Sequence, residues 1–209
     1  MKTYAAKTPP HLITLIILTS TSVLAMNMFL PSLTNMAAEF SVSYSVMNIS
    51  VAGYLAITAI LQVILGPLSD RFGRRPVLLG SILIFSLASL FCALSSNIWI
   101  FLSLRILQGA IISGMTLSRA IVRDIMDPKD AVRVLGTIAM AMAVAPMLGP
   151  VLGGVFDEVF GWRAIFWFYL GLGLVLFVLT WADLGETNKN TSATFRKQFS
   201  TYPDLLRSG

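Results

Sequence analysis

Cysteine and histidine are almost missing from these 209 residues, which hold one of each, Cys92 and His11. A lone thiol closes no disulfide within the chain. One thiol and one imidazole build neither a thiolate metal cluster nor a His-based catalytic dyad. Charge is the second scarcity. Only 12 % of the residues are charged, 15 basic and 10 acidic, against 56 % apolar. With a mean hydropathy of +0.79, that balance excludes a soluble domain of this size. Redox, metal and nucleophilic enzyme chemistry therefore have no residues to work with, and His11 reads as a peripheral structural group.

Long apolar runs are what the chain has instead. Six can cross a hydrocarbon core of ~30 Å at ~1.5 Å per residue. They lie at roughly 12–30, 46–67, 77–95, 98–119, 134–156 and 164–183. Backbone in lipid must satisfy its own hydrogen bonds, so residues 1–186 are expected to form an all-α bundle of six transmembrane helices. The first run follows Lys2 and Lys7 but is long for a signal peptide and lacks a small-x-small cleavage site, so it reads as a retained helix. No strong local repeat is visible, although six spans can be two three-helix units of opposite orientation.

The net charge of +5 is informative through its distribution. Alternating the spans places 13 of the 15 bases on one side: Lys2, Lys7, Arg71, Arg74, Arg75, Arg119, Arg123, Lys129, Arg133, Lys189, Arg196, Lys197 and Arg207. The opposite loops carry Glu39, Asp157 and Glu158. Cytoplasmic loops are the basic ones, so both termini are expected in the cytoplasm, and nucleic-acid binding is not. Trp99 and Trp162 fall at outer ends and Trp181 at an inner end, as interfacial anchors. Pro128 is expected to break any helix in the inner loop 119–133. In the tail 187–209, Phe195, Phe199, Tyr202 and Leu206 recur at helical spacing among bases, which fits an amphipathic helix on the inner membrane surface.

Three places carry chemistry. Arg105 lies seven residues inside span four, ~10 Å deep, with Gln108 on the same face and Phe101, Ile112 and Met115 above and below. A charge at that depth faces protein or a water-filled cavity, unless the span starts later and the side chain snorkels outward. Val23 and Asn27 of span one sit at a similar level and are candidates for the same cavity or for bonds between helices. No span has an acid in its central part, and a guanidinium does not release its proton, so it acts by biasing a neighbour or by binding a polar group. In span five, Pro146, Gly149, Pro150, Gly153 and Gly154 fall within nine residues and predict a bent surface that another helix approaches closely. Between spans two and three, Gly66 and Gly73 are expected to turn the chain and Asp70 to cap the next helix. Arg71, Arg74 and Arg75 face phosphate and cytoplasm. Asp70 is expected to pair with Arg119 or Arg123 as a cytoplasmic latch.

These motifs converge. G-P-L-S-D-R-F-G-R-R-P-V-L-L, from Gly66, resembles the signature loop of the major facilitator superfamily. L-R-I-L-Q-G, with Arg105, resembles its fourth-helix motif, and A-P-M-L-G-P-V-L-G-G resembles the fifth-helix motif of its drug/proton antiporters. L-G-E-T at Leu184–Thr187 looks like the tail after the sixth helix. With M-N-M-F-L-P-S-L closing span one, the chain is most similar to bicyclomycin- and chloramphenicol-type exporters. It departs at Asn27, where that pattern has Asp, and at Ala145, where the first glycine of the fifth-helix motif stands.

The resemblance implies the N-terminal six-helix half of a twelve-helix exporter in a bacterial inner membrane. It implies antiport of a small-molecule drug against protons by alternating access, with no cofactor beyond the proton gradient. Arg105 and Gln108 would serve proton coupling, span five the bundle interface, and the 66–76 loop with Arg119 and Arg123 the inner gate. The partners implied are the bilayer, the drug and a C-terminal half or second copy. The other reading is a truncated half that transports nothing by itself.

Overall fold

The computed structural model describes residues 10–187. Among them six helices are long and apolar enough to cross a membrane: Leu12–Glu39, Tyr44–Phe72, Arg74–Leu94, Ile98–Ile125, Pro128–Phe160 and Arg163–Asp183. These are spans one to six, and the described residues contain no strand. The all-α architecture expected from hydropathy is the one observed. The amphipathic tail helix falls outside the described residues.

The differences lie at the ends of the spans. Span one does not stop near residue 30. A 3-10 turn at Leu30–Ser32 seats Pro31 in its first positions, where a missing N–H breaks no bond, and Leu33–Glu39 continues the helix. The connection to span two is thus residues 40–43, shorter than the gap between the expected runs, and Ser43 caps span two through Val46 N. Span two runs on through Gly66 and Pro67 to Phe72, so the turn is made at Gly73 alone, at φ +96°. The helix is broken at residues 126–127 as expected, and Pro128 then opens span five, because the first helical position has no partner for an N–H. Pro146 and Pro150 lie inside the same continuous helix.

Spans three and six pack back to back. They approach closely at Gly173, where an added Cβ would sit 2.3 Å from Ser86 Oγ. Spans one and four meet at a second 3-10 turn, Gly109–Ile111, where Ser22 Oγ donates to Ile111 O at 2.7 Å. Span two flanks span four, and span five flanks span one. The two flanking spans expose apolar side chains, among them Ile60 and Val63 on span two and Met147 and Val151 on span five. In a membrane such a face meets lipid or another helical bundle.

Hydrophobicity does not hold helices together in lipid, so close packing of small residues must. Gly153 is the tightest case. A Cβ there would lie 1.6 Å from Met28 O, whereas at Gly154 it would meet nothing within 4 Å. Gly153→Ala should therefore push span five off span one and cost about 1–3 kcal/mol. Gly154→Ala should be neutral or slightly stabilising. Thermal unfolding of the detergent-solubilised chain checks this, and equal melting of the two variants would contradict it.

Candidate functional site

Asn97 fixes the start of span four by accepting from Trp99 N at 2.9 Å and Ile100 N at 3.3 Å. Arg105 is thereby committed to the interior, and its side chain is 0 % exposed, so it does not snorkel. Its charge is solvated by protein. Nη1 donates to Gln108 Oε1, and Nη2 donates to Ala25 O at 3.5 Å. The guanidinium carbon stands 3.9 Å from the centre of the Phe29 ring, 4.6 Å from Tyr54 and 5.9 Å from Phe166. Among the described residues no carboxylate lies within ion-pair distance.

The magnitudes are compatible with a charged side chain here. Burying an ion costs several kcal/mol after relaxation. A desolvated cation–π contact returns ~2 kcal/mol and a hydrogen bond to a charged group ~1.5–3 kcal/mol. The ring faces and two acceptors together offset a penalty of that size. Gln108 is itself anchored, since its Nε2 donates to Ser89 Oγ at 2.7 Å and that hydroxyl donates to Phe85 O at 2.7 Å. Tyr169 packs in the same layer, its hydroxyl 3.4 Å from both Leu24 O and Ala25 O. Arg105 Nε and the Tyr54 hydroxyl are buried without a protein partner among the described residues, so a polar molecule reaching them finds two unused groups.

The cavity residues expected from sequence divide. Phe101 is wholly buried and packs against Phe40, Trp162 and Phe166 at ring distances of 5.4, 5.8 and 5.4 Å. Ile112 is buried as well, while Val23, Asn27 and Met115 are half-buried. The Asn27 amide turns back on its own helix, donating to Val23 O at 2.8 Å. Its Cβ side faces Gly149 of span five, the closest neighbour a Cβ there would meet at 3.3 Å. Gly149 and Gly153 face span one, while Pro146 is exposed and Pro150 and Gly154 are half-buried. Trp162 is no interfacial anchor. It is 3 % exposed and donates to Glu39 Oε2.

The turn at Gly73 gathers four spans. Arg74 donates from Nη1 to Ser69 Oγ, and its Nη2 lies 2.7 Å from Asp70 Oδ1. From Nε it reaches Asp124 Oδ2 at 3.1 Å, near the end of span four. The latch across to span four thus runs through Arg74 and Asp124, with Asp70 orienting the arginine. Asp70 is not the helix cap either. Glu186, just past span six, accepts from Arg74 N at 2.8 Å and Arg75 N at 3.2 Å, a carboxylate on the positive end of span three. Arg75 Nη2 donates to Trp181 O at 2.7 Å. Gly73 is required by its φ, and a Cβ there would lie 2.3 Å from Glu186 Oε2 and displace the capping carboxylate. Arg119 and Arg123 are exposed at this same end. His11 closes the set, with its N–H 2.9 Å from Asp183 Oδ2 and its ring against the same carboxylate. Among the described residues no group of His, Cys, Asp and Glu could hold a metal.

A model of the Major Facilitator Superfamily matches residues 15–209. The chain belongs to that superfamily. A chloramphenicol resistance protein of Pseudomonas aeruginosa is 40 % identical over 154 residues, which are 73 % of this chain and 36 % of that protein. An uncharacterized MFS-type transporter of Bacillus subtilis (strain 168), YdgK, is 40 % identical over 190 residues, 88 % of this chain and 47 % of that one. The chain thus spans about half the length of the curated relatives it matches, or less. Among solved structures, a peptide transporter complexed with sulfate superposes with a TM-score of 0.74 at 16 % identity. That match covers 94 % of this chain and 43 % of the other. The human organic anion transporter MFSD10 gives 0.69 at 21 %, covering 88 % and 51 %. At those identities the likeness shows the fold. The superfamily is one of transporters, not enzymes, and places the chain in a membrane.

Tyr54, Tyr169, Phe29 and Phe166 were not singled out from sequence. A tyrosine near the middle of an apolar span is the signal that marks two of them. Glu186→Ala should uncap span three and cost about 0.5–2 kcal/mol. Faster hydrogen exchange at the Arg74 and Arg75 amides reads that loss, and unchanged protection would contradict the capping role.

Proposed function

We propose that this chain forms one wall of a drug/proton antiporter that exports small antibiotic-like molecules by alternating access. The observation that carries the reading is Arg105, a cation buried in the membrane interior with no carboxylate beside it among the described residues. Relatives named for chloramphenicol and multidrug resistance support the substrate class. Among the described residues Arg71, Arg74, Arg75, Arg119, Arg123, Lys129 and Arg133 belong to one end of the bundle, which supports turning that end, with both termini, toward the cytoplasm of a bacterial inner membrane.

Arg105 works here by keeping its charge. It lowers the cost of an anionic or deprotonated group brought near it, and so couples proton loss to occupancy of the cavity. The spans hold no central acid, and Asn27 stands where a carboxylate would serve. The proton carrier therefore belongs to the facing wall, six further spans or a second copy, and the energy source is the proton gradient. The apolar faces of spans two and five suit a bundle placed against them. A half that transports nothing alone is the second reading, favoured by the chain's spanning about half the length of its relatives or less.

Resistance of a drug-sensitive bacterial host to an amphenicol panel tests the proposal, with the chain expressed alone and beside a six-span partner half. Resistance that collapses with the proton gradient is the expected result in the paired case. Arg105→Ala should return it to the level of the bare host at unchanged membrane abundance. Full resistance in that variant would sink the coupling role.

A further inference from the structure

The two ends of the bundle are built alike. One end carries the turn Phe72-Gly73-Arg74-Arg75 and the other the turn Phe160-Gly161-Trp162-Arg163. Gly73 and Gly161 are the two glycines with positive φ among the described residues, at +96° and +80°. Their ψ values are 151° and 159°, so both occupy a region that essentially only glycine enters.

The contacts repeat as well. Arg75, at the start of span three, donates to Trp181 O at the end of span six. Arg163, at the start of span six, donates to Ala93 O and Ser95 O, both at 3.1 Å, at the end of span three. Arg74 reaches Asp124 at the end of span four, and Trp162 Nε1 reaches Glu39 Oε2 at the end of span one. A shift of 88 residues carries Gly73 onto Gly161, Arg75 onto Arg163 and Ala93 onto Trp181. It also carries Phe85 onto Gly173, and those two residues touch, with a Cβ at Gly173 3.3 Å from Phe85 Cδ1. The contact that the start of span three makes with the end of span six thus recurs between the start of span six and the end of span three.

We propose that Glu39, Trp162 and Arg163 form a clasp at the acidic end, the counterpart of the basic turn, and act as positioning residues for the Arg105 pocket. Glu39 binds both the Trp162 indole and Arg163 Nη1, and the guanidinium carbon lies 4.3 Å from the Trp162 ring centre. Trp162 and Phe40 then press Phe101 against Phe166. Phe101 lies one helical turn before Arg105, and Phe166 is one of the rings over its guanidinium. An exposed ion pair alone would be worth little. This one also supplies donors to carbonyls that the end of span three leaves without a helical partner.

The chain carries its own reporter. Cys92 is wholly buried, with Sγ 4.0 Å from Phe101 O, and precedes the residue whose carbonyl Arg163 holds. The test is the rate at which a water-soluble maleimide labels Cys92 in open membrane sheets. The unaltered chain should be protected. Arg163→Gln and Glu39→Gln should raise the rate about tenfold, the size expected when a local opening loses a charge-assisted hydrogen bond. Arg163→Lys should restore most of the protection, and Arg75→Gln, at the far end, should leave it intact. Should Arg163→Gln not insert, Trp162→Phe keeps a ring but removes the donor to Glu39, and should also raise the rate. Unchanged labelling in the clasp variants, or an equal rise in Arg75→Gln, would overturn the assignment. The readout uses neither drug nor proton gradient, so its failure and that of the antiport reading are separate events.

Discussion

A guanidinium inside a membrane-spanning bundle has to be solvated by protein, and much of this structure follows from that requirement. Arg105 is given an amide oxygen, a backbone carbonyl and the faces of three aromatic rings. Those partners come from spans one, two, four and six, with Ser89 of span three holding the amide in place. One charge thereby ties together five of the six spans. Span five is the exception, and it is held by a different means, the contact of Gly149 and Gly153 with Leu24, Asn27 and Met28 of span one.

Away from that centre, polar contacts concentrate at helix ends. Each end of the bundle uses a glycine turn to bring an arginine against the carbonyls of an antiparallel neighbour. Helix ends are where backbone groups lack partners, so a bundle in lipid gains most by satisfying them there. Glu186 and Asp183 do the same for the starts of spans three and one. Between the ends, small residues such as Gly114 and Gly173 set the approach of the helices. The resulting body has satisfied helix ends and an apolar flank on spans two and five.

Much of this was legible in the sequence, because membrane spans are written in hydropathy alone. All six helices were placed, as were the buried state of Arg105, the helix face it shares with Gln108 and the close packing of span five. Their ends were less legible. Gly66 looks like a turn, but span two continues through it and Pro67, and the proline leaves only Val63 O without its helical donor. Pro128 reads as a breaker, and it also starts a helix, because it sits where a helix needs no N–H; Pro31 does the same within span one. The cap on span three was assigned to Asp70, the near carboxylate, whereas Glu186 provides it from more than a hundred residues away. Long-range partners of that kind leave no local pattern, and the ring faces around Arg105 are hidden for the same reason.

The central claim is that Arg105 remains a protein-solvated cation, and nitrogen-15 NMR of arginine side chains in bilayers addresses it most directly. With Phe29 3.9 Å from the guanidinium carbon, the Arg105 Nη signals should be ring-current shifted, split by restricted rotation and slow to exchange with water. Their disappearance in Arg105→Lys assigns them. An Arg105 signal that is averaged, unshifted and in fast exchange, like that of an arginine in water, would contradict the account.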